Sequence, residues 1–184
     1  MKMRRSLIAF AFLPLVWSSA GQAQPPSTQV AQNEAAPKPA PHKKIFGSWT
    51  LICATTPGES EESCEADVSL QPEAQLPPVA KVAFVRAAKD KPLRLVAIVQ
   101  ANLTLAPGVE IASDPAKPGV VLPFKSCLNS ACLADAELSQ DQMQAFRSQT
   151  QTGRLTIKNA AGEQLSLSVP SKGLDEALAA LLTQ

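Results

Sequence analysis

The chain has 184 residues, with 17 basic and 16 acidic side chains and a formal net charge of +1. This length suits one domain with accessory segments. A near-neutral charge excludes nucleic acid as the expected partner, because proteins that bind phosphate backbones present a basic face.

Residues 1–23 have the pattern of a secretory signal peptide. Basic residues precede an apolar segment at 7–17, and small residues follow up to Ala23. We expect cleavage after Ala23; cleavage after Ala20 and an uncleaved N-terminal anchor are the alternatives. The apolar segment is shorter than the roughly 20 residues that span a bilayer, and no later segment is apolar enough, so the exported protein is expected to lack a transmembrane span. Cleavage removes three of the 17 basic residues and leaves 14 basic and 16 acidic ones, a net charge of −2.

Residues 24–44 are predicted to be a linker. Prolines alternate there with alanine, glutamine and lysine, and such a composition buries little apolar surface, so we expect an extended or disordered spacer. The only histidine, His42, falls in this segment. The folded domain is predicted to cover residues 45–184.

All four cysteines lie in the exported part, at Cys53, Cys64, Cys127 and Cys132. An even count in an oxidising compartment favours disulfides. Of the three possible pairings, the local one, Cys53 with Cys64 and Cys127 with Cys132, is the simplest. A four-cysteine zinc site is the alternative, but paired zinc ligands are usually separated by about two to four residues, whereas ten lie between the first two cysteines. We therefore predict no metal and no cofactor.

Alternation of apolar and polar residues predicts that most of the domain consists of antiparallel strands with one wet face. The clearest case is 64–70, in which every second residue is apolar. The longest candidate, 93–103, carries Val96 and Ile98 on its second face, so we expect a central strand buried on both sides. Trp49, on the first predicted strand, is expected in the core. The other predicted strands are 48–53, 79–87, 109–112, 154–159 and 163–169.

The stretch 122–133 is predicted to be a chain reversal closed by a disulfide. Asn129 and Ser130 lie between Cys127 and Cys132, and such side chains favour turns because they bond to nearby backbone. The apolar residues on either side are expected to hold the turn against the core.

Two short helices complete the predicted fold. Ser139 and Gln142 have the spacing of a capping box, and a helix starting there would dock Met143 and Phe146 on the sheet. Residues 173–182 carry a leucine stripe at helical spacing, with acidic residues in the first turn. The fold class is therefore predicted to be mainly β, an antiparallel β-sandwich or partly open barrel with two short α-helices and disulfide links.

Several short motifs resemble, in their order and spacing, the invasion-associated locus B family. The similarity covers nearly all of residues 45–184. The motifs are Phe46-Gly-Ser-Trp49, Cys53 with Cys64, Leu103-Thr-Leu-Ala-Pro-Gly-Val109, Leu122-Pro-Phe124 with Cys127 and Cys132, and Ser171-Lys-Gly-Leu-Asp-Glu-Ala-Leu178.

This resemblance implies a small exported protein of an alphaproteobacterium, associated with the cell envelope and, in some pathogens, with invasion of host cells. The family has no established catalytic residues that could be transferred to this chain. Two positions depart from the family pattern. Ser48 replaces an aspartate before the tryptophan, and Asn129-Ser-Ala replaces an Asn-Gly turn.

The chain is not predicted to be an enzyme. With His42 in the linker, Ser–His or Cys–His catalysis and a histidine-ligated metal lack their histidine. A hydrolase that uses two carboxylates needs no histidine, but an acidic run is usually a solvated loop and strand face. Cys127 and Cys132 lack the Cys-x-x-Cys spacing of thiol oxidoreductases. The acidic run consists of Glu59, Glu61, Glu62, Glu65 and Asp67.

Five basic residues near one predicted turn are the candidate binding site for an anionic envelope polymer or a host surface. The alternative is an ordinary charged turn. These residues are Lys81, Arg86, Lys89, Lys91 and Arg94.

The predicted function is therefore binding, by an exported protein in the periplasm or at the outer surface, of an unidentified envelope or host-surface protein or polymer. A carboxylate-based hydrolase of envelope polymers is one alternative. A structural or chaperone-like envelope protein is another.

Overall fold

The computed structural model describes residues 41–55, 61–101, 103–106 and 108–184. The predicted signal peptide and most of the predicted linker lie outside these described residues. The elements in chain order are β1 (His42–Phe46), β2 (Trp49–Thr55), β3 (Glu62–Leu70), β4 (Ala80–Arg86), β5 (Arg94–Gln100), β6 (Val109–Ala112), β7 (Val120–Leu122), β8 (Phe124–Leu128), β9 (Ala131–Glu137), α1 (Gln140–Arg147), β10 (Gly153–Lys158), β11 (Gln164–Val169) and α2 (Leu174–Leu182).

In the described part of the chain the strands form two antiparallel sheets. The larger has the order β1-β2-β3-β4-β5-β9-β8, and the smaller has the order β11-β10-β6-β7. The sheets share no strand, and apolar residues of both contribute to one core. The mainly β prediction is confirmed, and of its two architectures the chain adopts the sandwich.

The centre of the core is a row of three aromatic side chains. The ring centroids of Trp49 and Phe84 are 5.6 Å apart, and those of Phe84 and Phe146 are 5.2 Å apart. All three side chains are buried. The indole N–H of Trp49 donates to the carbonyl of Pro170 at 2.9 Å, which satisfies the polar edge of a ring that is otherwise in apolar surroundings.

Both helices form where the sequence predicts them. The Ser139 hydroxyl accepts from the backbone N–H of Gln142 at 3.2 Å, and the Gln142 side chain accepts from the backbone N–H of Ser139 at 2.9 Å, so the predicted capping box starts α1. The leucine stripe of α2 is buried, and this helix contacts β1 to β4. Helices and small sheet therefore share the inner face of the large sheet.

The first strand begins earlier than the sequence indicated. β1 starts at His42 and pairs with β2 along its whole length, with His42 opposite Cys53. Residues 42–44, which the sequence analysis assigned to the linker, are therefore part of the large sheet, and His42 is among them. Lys43 and Lys44 made this stretch similar to the linker, but lysine is common on edge strands, where it discourages pairing with other chains.

The central strand is less buried than expected. β5 lies between β4 and β9 and spans Arg94–Gln100, within the predicted 93–103. Its inner face is buried, but Val96 is only half-buried and Ile98 is 39 % exposed. The expected burial on both sides is wrong, because no described element covers the outer face of the large sheet.

Candidate functional site

The candidate site is built around the disulfide hairpin, by which we mean β8, β9 and the two residues between them. Cys127 is directly opposite Cys132 in the register of the two strands. They form a disulfide with a Cα–Cα distance of 4.0 Å. Asn129 starts the turn with φ of 54°, a left-handed conformation that asparagine tolerates better than most residues. The bond and the turn together hold the tip of the hairpin in one geometry.

The tip of the hairpin exposes an apolar side chain. Leu128 directly precedes the turn and is 73 % exposed. It is opposite Ala131, which is in turn opposite Gln100 of β5, and residues opposite each other on neighbouring strands share a face of the sheet. Leu128 therefore lies at one corner of the outer face of the large sheet.

An open depression of about 200 Å³ lies on the same corner. Val79, Ile98 and Ala131 contribute apolar surface to it, and Lys81 and Gln100 also line it. We call Val79, Ile98, Ala131 and Leu128 the hairpin-end surface. Sequence reasoning missed this surface, because alternation shows which residues share a face but does not show whether a second layer covers that face.

On β3, β4, β5 and β9 the charged side chains of the outer face are paired within the domain. The Lys81 ammonium lies 2.8 Å from a Glu65 carboxylate oxygen and 2.6 Å from one of Asp67. Partial burial by itself would lower the pKa of Lys81, but the hydrogen bonds to Asp67 and Glu65 outweigh it and hold this pKa above its ordinary value. A lysine so placed pairs with both carboxylates and stays charged at any physiological pH, and the group of three keeps one net negative charge.

A second ion-pair group surrounds Asp135. The Arg94 guanidinium donates to Asp135 through Nε at 2.8 Å and to Glu137 at 3.2 Å. The Lys125 ammonium lies 3.8 Å from the other oxygen of Asp135. With both groups paired internally, the outer face presents mixed and largely balanced charge around an apolar corner.

Of the five basic residues of the sequence prediction, four lie around the connection between β4 and β5, and Lys81 lies near the other end of β4. Lys81 is near the start of β4 and Arg94 is at the start of β5, each with carboxylate partners. The Arg86 guanidinium donates to the carbonyl of Leu182 at 2.8 Å and also to that of Lys89, so it ties the β4 end to α2. Lys91 is 3.3 Å from Asp90. Binding of an anionic polymer by these residues stays a prediction, and the function proposed below does not depend on it.

The acidic run is divided between two faces. Glu65 and Asp67 project from the outer face of β3, where both contact Lys81. Glu62 lies with Cys64 on the inner face of the same strand, since every second residue shares a face. Glu59 lies outside the described residues. The two acids of the outer face, Glu65 and Asp67, are therefore both ion-paired to Lys81, and Glu62 lies on the opposite face from them.

The second disulfide lies beside a small cleft. Cys53 and Cys64 are opposite each other on β2 and β3, with a Cα–Cα distance of 4.1 Å. A cleft of about 230 Å³ is lined by His42, Glu62, Cys53 and the C-terminal Gln184, among others. His42 is thus part of the domain, and the reason given above for excluding histidine chemistry does not hold. The Glu62 carboxylate lies near both sulfurs, but these are bonded to each other and offer no thiolate to a metal.

The helices of the described residues do not include one that is both long and apolar enough to cross a membrane.

Comparison with known proteins identifies the family. The model of the family described as "Invasion associated locus B (IalB) protein" matches residues 49–182. None of the curated proteins matches the chain. Among solved structures, the crystal structure of invasion associated protein B from Bartonella henselae is similar, with a TM-score of 0.65 and 19 % sequence identity. The similarity covers 77 % of this chain and 95 % of that one. At this identity the likeness shows a shared fold.

Proposed function

The chain belongs to the invasion associated locus B family, and from this premise we propose that it is an exported binding protein of the cell envelope. It acts in the periplasm or at the outer surface after removal of residues 1–23. It binds a partner protein through the hairpin-end surface. The observation that carries the proposal is the 73 % exposure of Leu128 at the tip of a hairpin closed by a disulfide.

Preorganisation favours binding at this place. A flexible loop loses conformational entropy when a partner orders it, and a crosslinked hairpin has already lost most of that freedom during folding. Leu128 is fixed on one side by the turn at Asn129 and on the other by the pairing of β8 with β9. An apolar side chain held in this way is suited to enter a pocket on another protein.

The chemistry of the hairpin-end surface and its neighbours indicates the class of partner. The carboxylates and cations around the hairpin end are paired with each other, so a charged polymer would have to break these pairs to gain its own. Leu128, Ile98 and the open depression instead offer apolar area. The partner is therefore a protein with an apolar pocket or ridge, in the bacterial envelope or on a host surface.

The test compares two exposed side chains on the same sheet. Leu128→Ser removes the apolar tip, and Ile45→Ser is its control, because Ile45 is 69 % exposed on the outer face of the opposite edge strand. Mature parent and both variants are used for affinity capture from envelope extracts and from host-cell surface extracts. Burying a leucine contributes about 1.5–3 kcal/mol, so Leu128→Ser is expected to weaken retention of the partner by about tenfold or more.

Ile45→Ser is expected to retain the partner like the parent. Equal retention by the parent and Leu128→Ser would contradict the proposal. Equal loss in the two variants would contradict it as well, since it would indicate nonspecific adhesion to apolar surface.

A further inference from the structure

The four sheet edges of the described structure differ in how they are protected. β1 carries Lys43 and Lys44, and β8 carries Lys125 and an irregular register beside it. β7 has three residues and is followed by Pro123. Charges, bulges, prolines and short length are the usual means by which edge strands avoid pairing with other chains. β11 is also followed by a proline, Pro170, but its six residues, QLSLSV, include no charge and no proline, and its register with β10 is regular.

Among the described residues no strand pairs with the open side of β11, so the backbone groups on that side have no strand partner there. Asn159 N–H donates to the Glu163 carbonyl at 2.9 Å, and the Lys158 carbonyl accepts from Thr104 on the other side of β10. Hydrogen-bonded pairs alternate in an antiparallel ladder. Since Asn159 and Glu163 form one bonded pair, the register makes Leu165 and Leu167 the next β11 residues that bond to β10. The backbone N–H and C=O groups of the β11 residues between them point to the open side. These residues are Gln164, Ser166 and Ser168, whose side chains are exposed.

These outward groups complement a second copy of themselves. If two β11 strands run antiparallel with Ser166 on the twofold axis, Gln164 of each copy is opposite Ser168 of the other. Each such pair exchanges two hydrogen bonds, about six in all. Leu165, which is 37 % exposed, then lies opposite Leu167 of the second copy, and no charge faces a like charge.

We propose that β11 pairs with β11 of a second copy of this chain, in this register, and so joins the two small sheets into one continuous sheet. An interface of one strand pair is at the small end of specific interfaces, so the dimer forms at micromolar or higher concentration. The hairpin-end surface lies on the other sheet of the sandwich, and a dimer presents it twice, which raises the avidity for a multivalent partner.

The test uses charges placed on the twofold axis. The mature chain is studied by sedimentation velocity from about 1 to 500 μM, the range in which a small interface saturates. The parent is expected to dimerise with concentration. Ser166→Lys and Ser166→Glu are each expected to stay monomeric, because like charges then face each other, whereas an equimolar mixture of the two is expected to dimerise again. Val121→Lys, at the opposite edge of the same sheet, should dimerise like the parent.

Circular dichroism of each variant checks that it is folded. A parent that stays monomeric throughout this range overturns the proposal. This holds also if the monomer binds an extended peptide of another protein along β11. Dimers of unchanged strength in both Ser166 variants, or a mixture that stays monomeric, overturn it too, because the axis is then not at Ser166.

Discussion

Two glycines explain why the first and last motifs of the family pattern occur together. A Cβ on Gly47 would lie 2.5 Å from the carbonyl oxygen of Lys172, and one on Gly173 would overlap the carbonyl oxygen of Phe46. Both glycines have positive φ, 56° and 86°. The β1–β2 turn and the entry to α2 therefore touch backbone to backbone, and only glycine leaves room for this contact.

A similar contact joins two other motifs. A Cβ on Gly108 would overlap the carbonyl oxygen of Leu122, so the motif that ends at Val109 meets the one that begins at Leu122. The spacing of motifs that supports the family resemblance thus corresponds to contacts between residues far apart in sequence.

The glycine contact predicts a large difference between two similar substitutions. Gly173→Ala should destabilise the domain by about 3 kcal/mol or more, because a methyl group would push the backbone of Phe46 away in addition to straining its own. Gly162→Ala is the matched control, since Gly162 also has positive φ, 84°, but a methyl group there would meet nothing within 4 Å. It should cost about 1 kcal/mol. Urea denaturation of both variants measures the difference, and equal losses would show that the close approach is not what requires glycine at residue 173.

At the scale of elements, the sequence predicted correctly those strands that have one buried and one exposed face, because their apolar and polar residues then alternate. β3 has one buried and one wet face, and its pattern alone located it. β1 was missed because its two lysines make its composition similar to that of the preceding linker. Its assignment depends on its pairing with β2, which composition does not show. The capping box located α1 because it is a local interaction. The exposure of Leu128 and Ile98 depends on which layers cover the sheet, and no local pattern carries that information.

The two disulfides differ in ways that predict different losses. Each joins opposite residues of a hairpin, but the sequence separation is 11 for Cys53–Cys64 and 5 for Cys127–Cys132. Both sulfurs of the first lie in the core, whereas Cys127 of the second is exposed. Loop entropy alone gives about 3 kcal/mol for the longer loop and about 2 kcal/mol for the shorter one.

We therefore predict that the double variant Cys53→Ala with Cys64→Ala loses more stability than the double variant Cys127→Ala with Cys132→Ala. Alanine avoids leaving a hydroxyl without a partner in the core. The Cys127/Cys132 variant should remain folded but lose retention of the partner, because the Leu128 tip is no longer fixed. Equilibrium denaturation beside the oxidised parent, followed by affinity capture, gives both readouts. A reversed order of stability would show that loop length and burial do not decide the ranking.

At the scale of the whole molecule, the two sheets have different roles. The large sheet carries the hairpin-end surface and leaves its outer face uncovered by the described elements. The small sheet closes the core on the inner face and ends in the uncharged edge β11. Since binding and pairing use different sheets, a variant at Leu128 should leave dimerisation intact. A variant at Ser166 should leave the affinity of a single chain for its partner intact and remove only the avidity that the dimer adds.

The start of the domain at His42 gives a prediction for the mature protein as a whole. Deletion of residues 24–40 should leave the thermal midpoint within about 2 °C of the parent, because the proline-rich composition provides little apolar surface to bury. Deletion of residues 24–46 also removes β1, which pairs with β2 over five positions and contributes Phe46 to the margin of the core. A loss of about 3 kcal/mol corresponds to a fall of roughly 10 °C for a domain of this size, and we expect a fall of that order.

Deletion of residues 24–44 should have an intermediate effect on the midpoint, because it removes the part of β1 that the sequence assigned to the linker. Thermal unfolding followed by circular dichroism separates the three variants. Three equal midpoints would mean that β1 adds nothing to stability, whereas a large fall already in the shortest deletion would mean that the preceding segment stabilises the domain.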